Sequence, residues 1–481
     1  MSRAAFANPF GVERAELDRQ LSAPVGSPAA TDPTDHLIAR VRTAVARLEA
    51  EGLADSRRYG AQEQRVLQSV FLFDLFHLLS GEFDALIRAQ LKEAETPCPV
   101  PFGRDAIARL VGRGFPAVDA PRYFAMLFQL RRAYFFIDRG LVGQSPCMRQ
   151  LRRQLWDNVF TNDILLYERH LWNRMEDYST LLLGETGSGK GTAAAAIGRS
   201  GFVPYDPGRG RFVASFASIF IPVNLALYPE ALIESELFGH RKGAFTGAIE
   251  NQEGLLATCS AHGSVFLDEV GDASIPVQVK LLQVLQDRTF SPVGSHERCR
   301  FRGRVIAATN RPLGELRRRG LLREDFYYRL CSDCIVVPSL RQRLAEDRGE
   351  LALVLAKILE RLLGSAPGPL LARLLDRIDR EIGAAYPWPG NVRELEQCVR
   401  RMLLTGHYRP DAHEPPAEEG ARLAQAFATG SLTAQELLSA YCASLYRTHH
   451  TYEAVALRTG LDRRTVKKYL QAPSKTVERR A

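Results

Sequence analysis

The chain has 481 residues, 46% of them apolar and 25% charged, with 63 Lys+Arg against 55 Asp+Glu for a formal net charge of +8. That length exceeds one compact core and predicts about three domains, and the composition excludes a wholly disordered or collagen-like chain. The most apolar run, Val70 to Leu79, is broken by Asp74 and His77, the first residues lack a signal peptide's apolar stretch, and the 8 cysteines are scattered. Membrane-spanning and disulfide-stapled classes are therefore excluded, and a reducing cytoplasm is expected.

In chain order, residues 1–34, rich in Ala, Pro, Ser and Asp (SAPVGSPAATDPTD), read as disordered. Residues 35–140 repeat apolar side chains at three- and four-residue spacing, as in HLIARVRTAVARLEAEGL and RYFAMLFQLRRAYFFIDRG, and predict a mainly helical region. A regulatory input is expected there. The βα alternation of a phosphorylated receiver is missing. The aromatic residues Phe71, Phe73, Phe76, Tyr123, Phe124, Phe128, Tyr134, Phe135 and Phe136 read as core or dimer contacts rather than a ligand cage. From 141 to 338 short β-rich runs alternate with helical ones. STLLLGE, SVFLDEV and GRVIAATN read as buried parallel strands, hence an α/β sheet between helices. Residues 339–409 are helical in pattern, 410–430 read as a Pro- and Glu-rich linker, and 431–481 as a last all-α module.

After the STLLL strand comes GETGSGKGT, followed by an Ala-rich helix. Gly184 and Gly189-Lys190 match the P-loop spacing, set between strand and helix as that motif requires. The loop from Gly184 through Glu185, Thr186, Gly187, Ser188 and Gly189 can curl its N–H groups onto phosphates, with the helix dipole behind it. Lys190 would reach the terminal phosphates. Gly191 stands where Ser or Thr usually ligates Mg²⁺, and Thr192 lies one residue late. About 80 residues on, SVFLDEVGD ends a buried strand in Asp268-Glu269, at the sheet edge where the P-loop opens. Asp268 would hold Mg²⁺ and Glu269 would polarise an attacking water, so the pair implies ATP hydrolysis.

Between these motifs lies ESELFGHRKGAFTGA. The run Gly243, Ala244, Phe245, Thr246, Gly247, Ala248 resembles the signature of the bacterial enhancer-binding proteins, the AAA+ ATPases that activate sigma-54 RNA polymerase. Small residues flank one ring and one hydroxyl, giving a mobile loop whose apolar tip suits a partner. The resemblance spans about Leu141 to Glu396. It implies an AAA+ P-loop core with a helical lid, ATP and Mg²⁺ as ligands, and loop 243–248 as the sigma-54 contact. It further implies that Asn224 is the switch residue holding Glu269, that Thr309-Asn310 form sensor I, and that Arg323 and Arg329 are arginine fingers supplied in trans. Asn391 would cap the helix after Pro389-Gly390, with Arg393 on its first turn reaching back to nucleotide. Fingers in trans imply a homo-oligomer, hexameric by resemblance. The family usually has Glu at position 191 and Arg at position 292, and Thr161–Ser179 and Gly201–Phe212 look like insertions.

From Tyr446 to the end stand nine Lys/Arg against three Asp/Glu, a net +6 that leaves the preceding chain at +2. TYEAVALRTGLDRRTVKKYLQ reads as helix, turn, helix: Gly460 ends the first, Asp462 caps the second, and Leu461, Val466 and Leu470 face inward. Arg463, Arg464, Thr465, Lys467 and Lys468 remain outward, suited to a DNA groove, and the pattern resembles the Fis-type helix-turn-helix of the same family. The lone pair Cys331 and Cys334 lacks a second pair at metal spacing, and His77 and His449-His450 lack ligand partners. Two readings follow. One is a DNA-bound ring ATPase that remodels the sigma-54 closed complex. The other, favoured by Gly191 and Pro292, is a DNA-binding AAA+ repressor or scaffold with little ATPase activity.

Overall fold

The helical period of residues 35–140 is realised as five helices in a computed structural model, Pro33–Ala50 (α1), Ala61–Leu78 (α2), Ser80–Lys92 (α3), Gly103–Gly112 (α4) and Ala120–Gly140 (α5). The structure describes residues 8–11, 14, 16–17, 33–409, 433–449 and 451–471, in two units divided after Tyr408. Pro121 starts α5 without loss, because the first turn's N–H groups lack helical acceptors.

The apolar runs of the middle region pair as an all-parallel sheet. Thr180–Leu183 (β1), Phe220–Asn224 (β2), Ser264–Asp268 (β3), Arg304–Thr309 (β4) and Asp333–Val336 (β5) lie in the order β5-β1-β4-β3-β2. Strand alternation sends Leu182, Phe266, Ile306 and Ile335 to one face, under Pro146–Phe160 (α6) and Lys190–Gly198 (α7). Leu181, Val265, Leu267 and Ala307 go to the other, under Glu230–Phe238 (α8), Ile275–Asp287 (α9) and Glu324–Leu330 (α10). A lid follows, Leu340–Glu346 (α11), Gly349–Leu363 (α12), Gly368–Glu381 (α13) and Asn391–Thr405 (α14), around Leu355, Leu359, Leu374 and Leu395. No helix among the described residues is long and apolar enough to cross a membrane.

The helical region is not set apart from the sheet body at residue 140. Phe71, Phe83, Phe124 and Phe128 share one core with Tyr205, Phe212 and Phe216 of the longer 201–219 segment, whose residues 205–206 and 211–212 form a small antiparallel hairpin. The rings of Phe128 and Phe212 stack at 4.5 Å. Arg132 on α5 is fully buried and donates to the carbonyls of Arg199 (2.9 Å) and Gly201 (2.7 Å), between the rings of Phe128 and Phe216. Burial pushes its pKa down to about 9. Gln129 donates to the Ser200 carbonyl at 2.9 Å and also bonds the hydroxyl of buried Tyr167, from the 161–179 segment. Both apparent insertions therefore serve as the seat of the helical region. Of the stretch expected to be disordered, Asn8 donates to Asp157 Oδ1 at 2.8 Å and Phe10 stacks on Tyr134, so this part is docked. All of 1–32 but residues 8–11, 14 and 16–17, and the whole linker 410–430, lie outside the described residues.

The second unit, described by itself, packs Ala434–His449 (α15), Tyr452–Thr459 (α16) and Arg463–Gln471 (α17) around Cys442, Val455 and Val466.

Candidate functional site: a nucleotide cleft

The loop between β1 and α7 curls as its glycines allow. Gly187 and Gly189 take φ of 77° and 107°, a region that costs other residues strain. At Gly187 a Cβ would stand 2.3 Å from the Gly390 carbonyl, so only glycine lets the lid close on the loop. Lys190 is buried, its Nζ donating to the carbonyls of Gly184 (3.0 Å) and Glu185 (3.3 Å). The Ser188 hydroxyl is buried without a hydrogen-bond partner among the described residues. A cation turned into the loop beside an unpaired buried donor is the chemistry a polyphosphate fits. Gly191 and Thr192, in the first turn of α7, are exposed, and nothing lies within 4 Å of where a Gly191 side chain would start.

The acids meet this loop at the sheet's carboxyl edge. Asp268 ends β3, and Glu269 follows with φ of 55°. A glutamate in this left-handed region is a strained residue of the kind functional sites retain. The Asn310 N–H donates to Glu269 Oε2 at 3.1 Å, while the Asn310 side-chain amide donates to Thr186 Oγ1 at 2.8 Å. One residue thus ties the carboxylate to the P-loop. Asn224 sits beside Asp268 in the β2–β3 register, but its Oδ1 accepts from the Ala226 N–H (2.9 Å). The side-chain hold on Glu269 implied by the resemblance is not among the hydrogen bonds of the described residues; the backbone N–H of Asn310 bonds that carboxylate instead. Thr309 is buried against Gly271, with its hydroxyl accepting from the Arg311 N–H, so of the Thr309-Asn310 pair Asn310 alone bonds the P-loop.

Asn391 is also placed differently. Gly390 is the N-cap of α14, and Asn391, with φ of 54°, donates to Glu185 Oε2 and the Thr186 carbonyl, both at 3.0 Å, while its Oδ1 accepts from the Leu340 N–H. It bridges the P-loop to the first N–H of α11 in the lid rather than capping α14. Arg393, two residues on, lines a cleft of about 850 Å³ together with Lys190, Asn224, Asp268 and Glu269.

Sequence reasoning missed the cleft's far wall. Glu350 on α12 is fully buried and accepts from the Ser145 N–H at 2.7 Å and from the Gln144 N–H. Arg343 donates to it at 2.8 Å and to the Val142 carbonyl at 2.6 Å. Gly143 between these anchors has φ of 134°, and a Cβ there would meet Glu350 Oε2 at 2.3 Å. The lid therefore grips residues 142–145, while Arg139 and Gly140 from the end of α5 border the same cleft. A buried acid in a lid helix resembles any surface acid in a helical pattern, so only the fold reveals it.

Arg323 and Arg329 do not face this cleft. Arg323 forms a bidentate ion pair with Asp325 (3.0 and 2.7 Å), and Arg329 is exposed at the end of α10. Loop 243–248 rises from a two-residue hairpin, 239–240 with 252–253, closed by the Gly243 N–H donating to the Ala248 carbonyl at 2.9 Å. Phe245 is 37% exposed, its ring edge-on to His240 at 4.9 Å. In the second unit Asp462 caps α17, accepting from the N–H groups of Arg464 (2.8 Å) and Thr465 (3.1 Å), and Gly460 ends α16 with φ of 68°. Arg464, Lys467 and Lys468 are exposed and Arg463 pairs with Glu453, whereas the Thr465 hydroxyl is spent on Asp462.

A family profile described as Sigma-54 interaction domain matches residues 166–335. The Nif-specific regulatory protein of Klebsiella pneumoniae is 40% identical over 265 residues, 55% of this chain and 44% of its own length. The transcriptional regulatory protein ZraR of Klebsiella oxytoca is 36% identical over 334 residues, covering 68% of this chain and 67% of its own. A crystal structure of NtrX from Brucella abortus aligns over 76% of this chain and 79% of that one at 25% identity, with a TM-score of 0.40. The chain spans under half the length of the Nif-specific relatives. At 36% identity over two thirds of the length of ZraR, and with the Sigma-54 interaction domain matched, the chain belongs to the sigma-54-dependent enhancer-binding protein family.

Proposed function

We propose that this chain is a transcriptional activator that binds upstream DNA, hydrolyses ATP as a ring, and remodels the sigma-54 RNA polymerase closed complex. The observation that carries this reading is the bond from the Asn310 N–H to Glu269 Oε2, with the Asn310 amide on Thr186 of the P-loop. It supports the reading because a carboxylate that can accept a water's proton is thereby linked to the loop that would hold the phosphates. The P-loop would hold ATP, with Lys190 neutralising phosphate charge and Arg393 closing from the lid. Asp268 would hold Mg²⁺, which would neutralise charge on the phosphates. Arg323 and Arg329, exposed and turned from their own cleft, suit a neighbouring subunit's site; that arrangement supports a homo-oligomer, a hexamer by family. Residues 243–248 would be the sigma-54 contact, with Phe245 leaving His240 to engage it. Arg463, Arg464, Lys467 and Lys468 would meet DNA.

A second reading, a DNA-binding repressor or scaffold with little turnover, is favoured by the open space at Gly191, which leaves that position without a Mg²⁺ ligand. Measured ATP turnover and sigma-54-dependent open-complex formation separate the two. The activator reading expects both in wild type, loss of turnover in Glu269→Gln, and retained turnover without open complexes in Thr246→Ala. Absence of turnover in wild type refutes the activator.

A further inference from the structure

The pair Cys331 and Cys334 has no part in the cleft, yet it joins α10, which carries Arg329, to the edge strand β5. Cys331 follows α10 directly, its N–H donating to the Tyr327 carbonyl at 2.9 Å. Cys334 sits in β5 opposite Leu181 of β1. Strand alternation makes the geometry clear. Ile335 packs into the core on the α6/α7 face, so its neighbour Cys334 faces the other side of the sheet, as does Leu181. Cys331 packs against that same core. The two side chains therefore lie on the same side of the sheet, within interaction range of each other. Cys331 is half-buried and Cys334 exposed, so a small oxidant can reach them.

We propose that Cys331 and Cys334 are a modification site, a pair that hydroperoxide converts reversibly to a disulfide, fixing the end of α10 two residues from Arg329. The chemistry of the thiols supports the order of events. The hydrogen bond from Cys334, helped by the Tyr327 hydroxyl and opposed by burial, holds Cys331 down to about 7, so a substantial share is thiolate at neutral pH. The same bond, with burial, pushes Cys334 up. Burial also pushes up Cys98, Cys147, Cys259, Cys398 and Cys442. The Cys331 thiolate attacks one oxygen of hydrogen peroxide, breaking the O–O bond to give a sulfenic acid, and the departing hydroxide takes a proton to become water. The Cys334 thiol then attacks the sulfenic sulfur, forming the S–S bond and releasing a second water. Two thiols lose two electrons and one peroxide gains them.

The segment is already held tightly. Ser179 Oγ donates to the Arg329 carbonyl (2.7 Å), and Asn158 Nδ2 donates to Asp333 Oδ2 (2.6 Å). A disulfide fixes its two Cβ atoms about 3.8 Å apart, so it would restrain the end of α10, and Arg329 two residues before Cys331, against β5. This consequence rests on the assignment of Arg329 as a finger in trans; the disulfide itself does not.

The test uses the full chain at neutral pH, treated with a small excess of hydrogen peroxide while folded, then alkylated and mapped by mass spectrometry. The expected result is a linked Cys331–Cys334 peptide, two hydrogens lighter than the reduced pair and reversed by dithiothreitol. Cys334→Ser, an exposed and conservative change, should abolish the link and leave a sulfenic acid at Cys331 that dimedone traps. ATP turnover of the oxidised wild type should fall several-fold and return on reduction, while turnover of Cys334→Ser resists that reversible loss. No link, or preferential linkage of other cysteines, overturns the site. A link with unchanged turnover overturns the coupling to Arg329. A link in a protein whose reduced form has no turnover upholds the site and refutes the activator reading instead.

Discussion

Replacing Glu350 by Gln tests whether the lid grips the wall of the cleft. Glu350 is fully buried, and its carboxylate neutralises Arg343, whose side chain is 5% exposed. Removing one partner of such a pair strands the other charge in the interior, a cost of about 3–5 kcal/mol. The bonds from the Ser145 and Gln144 N–H groups lose their charged acceptor as well, at roughly 1 kcal/mol or less each because the amide oxygen can still accept. We expect the unfolding transition of the body to drop by about 4–8 °C, using ~1.2 °C per kcal/mol from ~2.1 cal/mol/K per residue over a unit of about 400 residues. Calorimetry reads this change, and a fluorescent-ATP titration reads the second effect. Val142, held by this clamp, lines the cleft, so nucleotide affinity should fall about tenfold. Glu350→Leu combined with Arg343→Leu, which removes both charges, should recover much of the thermal loss. A transition lowered by under 2 °C with unchanged nucleotide affinity would show that the clamp holds nothing.

The two glycines of the P-loop should respond in opposite ways. Gly187→Ala drives a Cβ into the Gly390 carbonyl and should weaken nucleotide binding at least tenfold, whereas Gly191→Ala meets open space and should leave binding intact while stabilising α7 by ~0.5–1 kcal/mol, read by titration and thermal melting. Burial, followed by the charges of Arg14, Arg131 and Arg42, pushes His77 down to about 4. The folded chain then refuses a proton that the unfolded chain accepts from pH 6.5, so stability is lost as pH falls from about 6.5 to 4, by ~3 kcal/mol at most; His77→Phe should flatten that part of the profile in denaturant titrations. Lys467→Ala and Lys468→Ala should each weaken DNA binding on every sequence alike and lower the salt slope by about one, and a loss confined to one sequence would refute a phosphate contact.

The parts of this fold legible in the sequence were those where local chemistry leaves few choices. Gly184 to Lys190, Asp268-Glu269 and 243–248 are spelled by residue types that few other arrangements need, and the β-rich runs had to be parallel because they are apolar on both faces. Contacts between distant segments were not legible. The helical period of 120–140 shows that α5 has an apolar side, but nothing in the period says that a hairpin 80 residues later covers it. Asn391 looked like a cap because Asn usually is one; its bonds to Glu185 and Thr186 arise only once the lid folds back. Glu350 is one acid among the 55 Asp+Glu, marked only by its burial.

The common core of Phe124, Phe128, Tyr205 and Phe212 bears on how such a chain can change over generations. A regulator whose parts are joined by linkers can trade its front end wholesale and keep its motor. Here an exchanged front end would strip cover from the hairpin and leave the Arg199 and Gly201 carbonyls without the Arg132 guanidinium. Grafts across residue 140 should therefore aggregate unless the 201–219 segment travels with them, and new inputs to this chain must arise by substitution within a fixed scaffold.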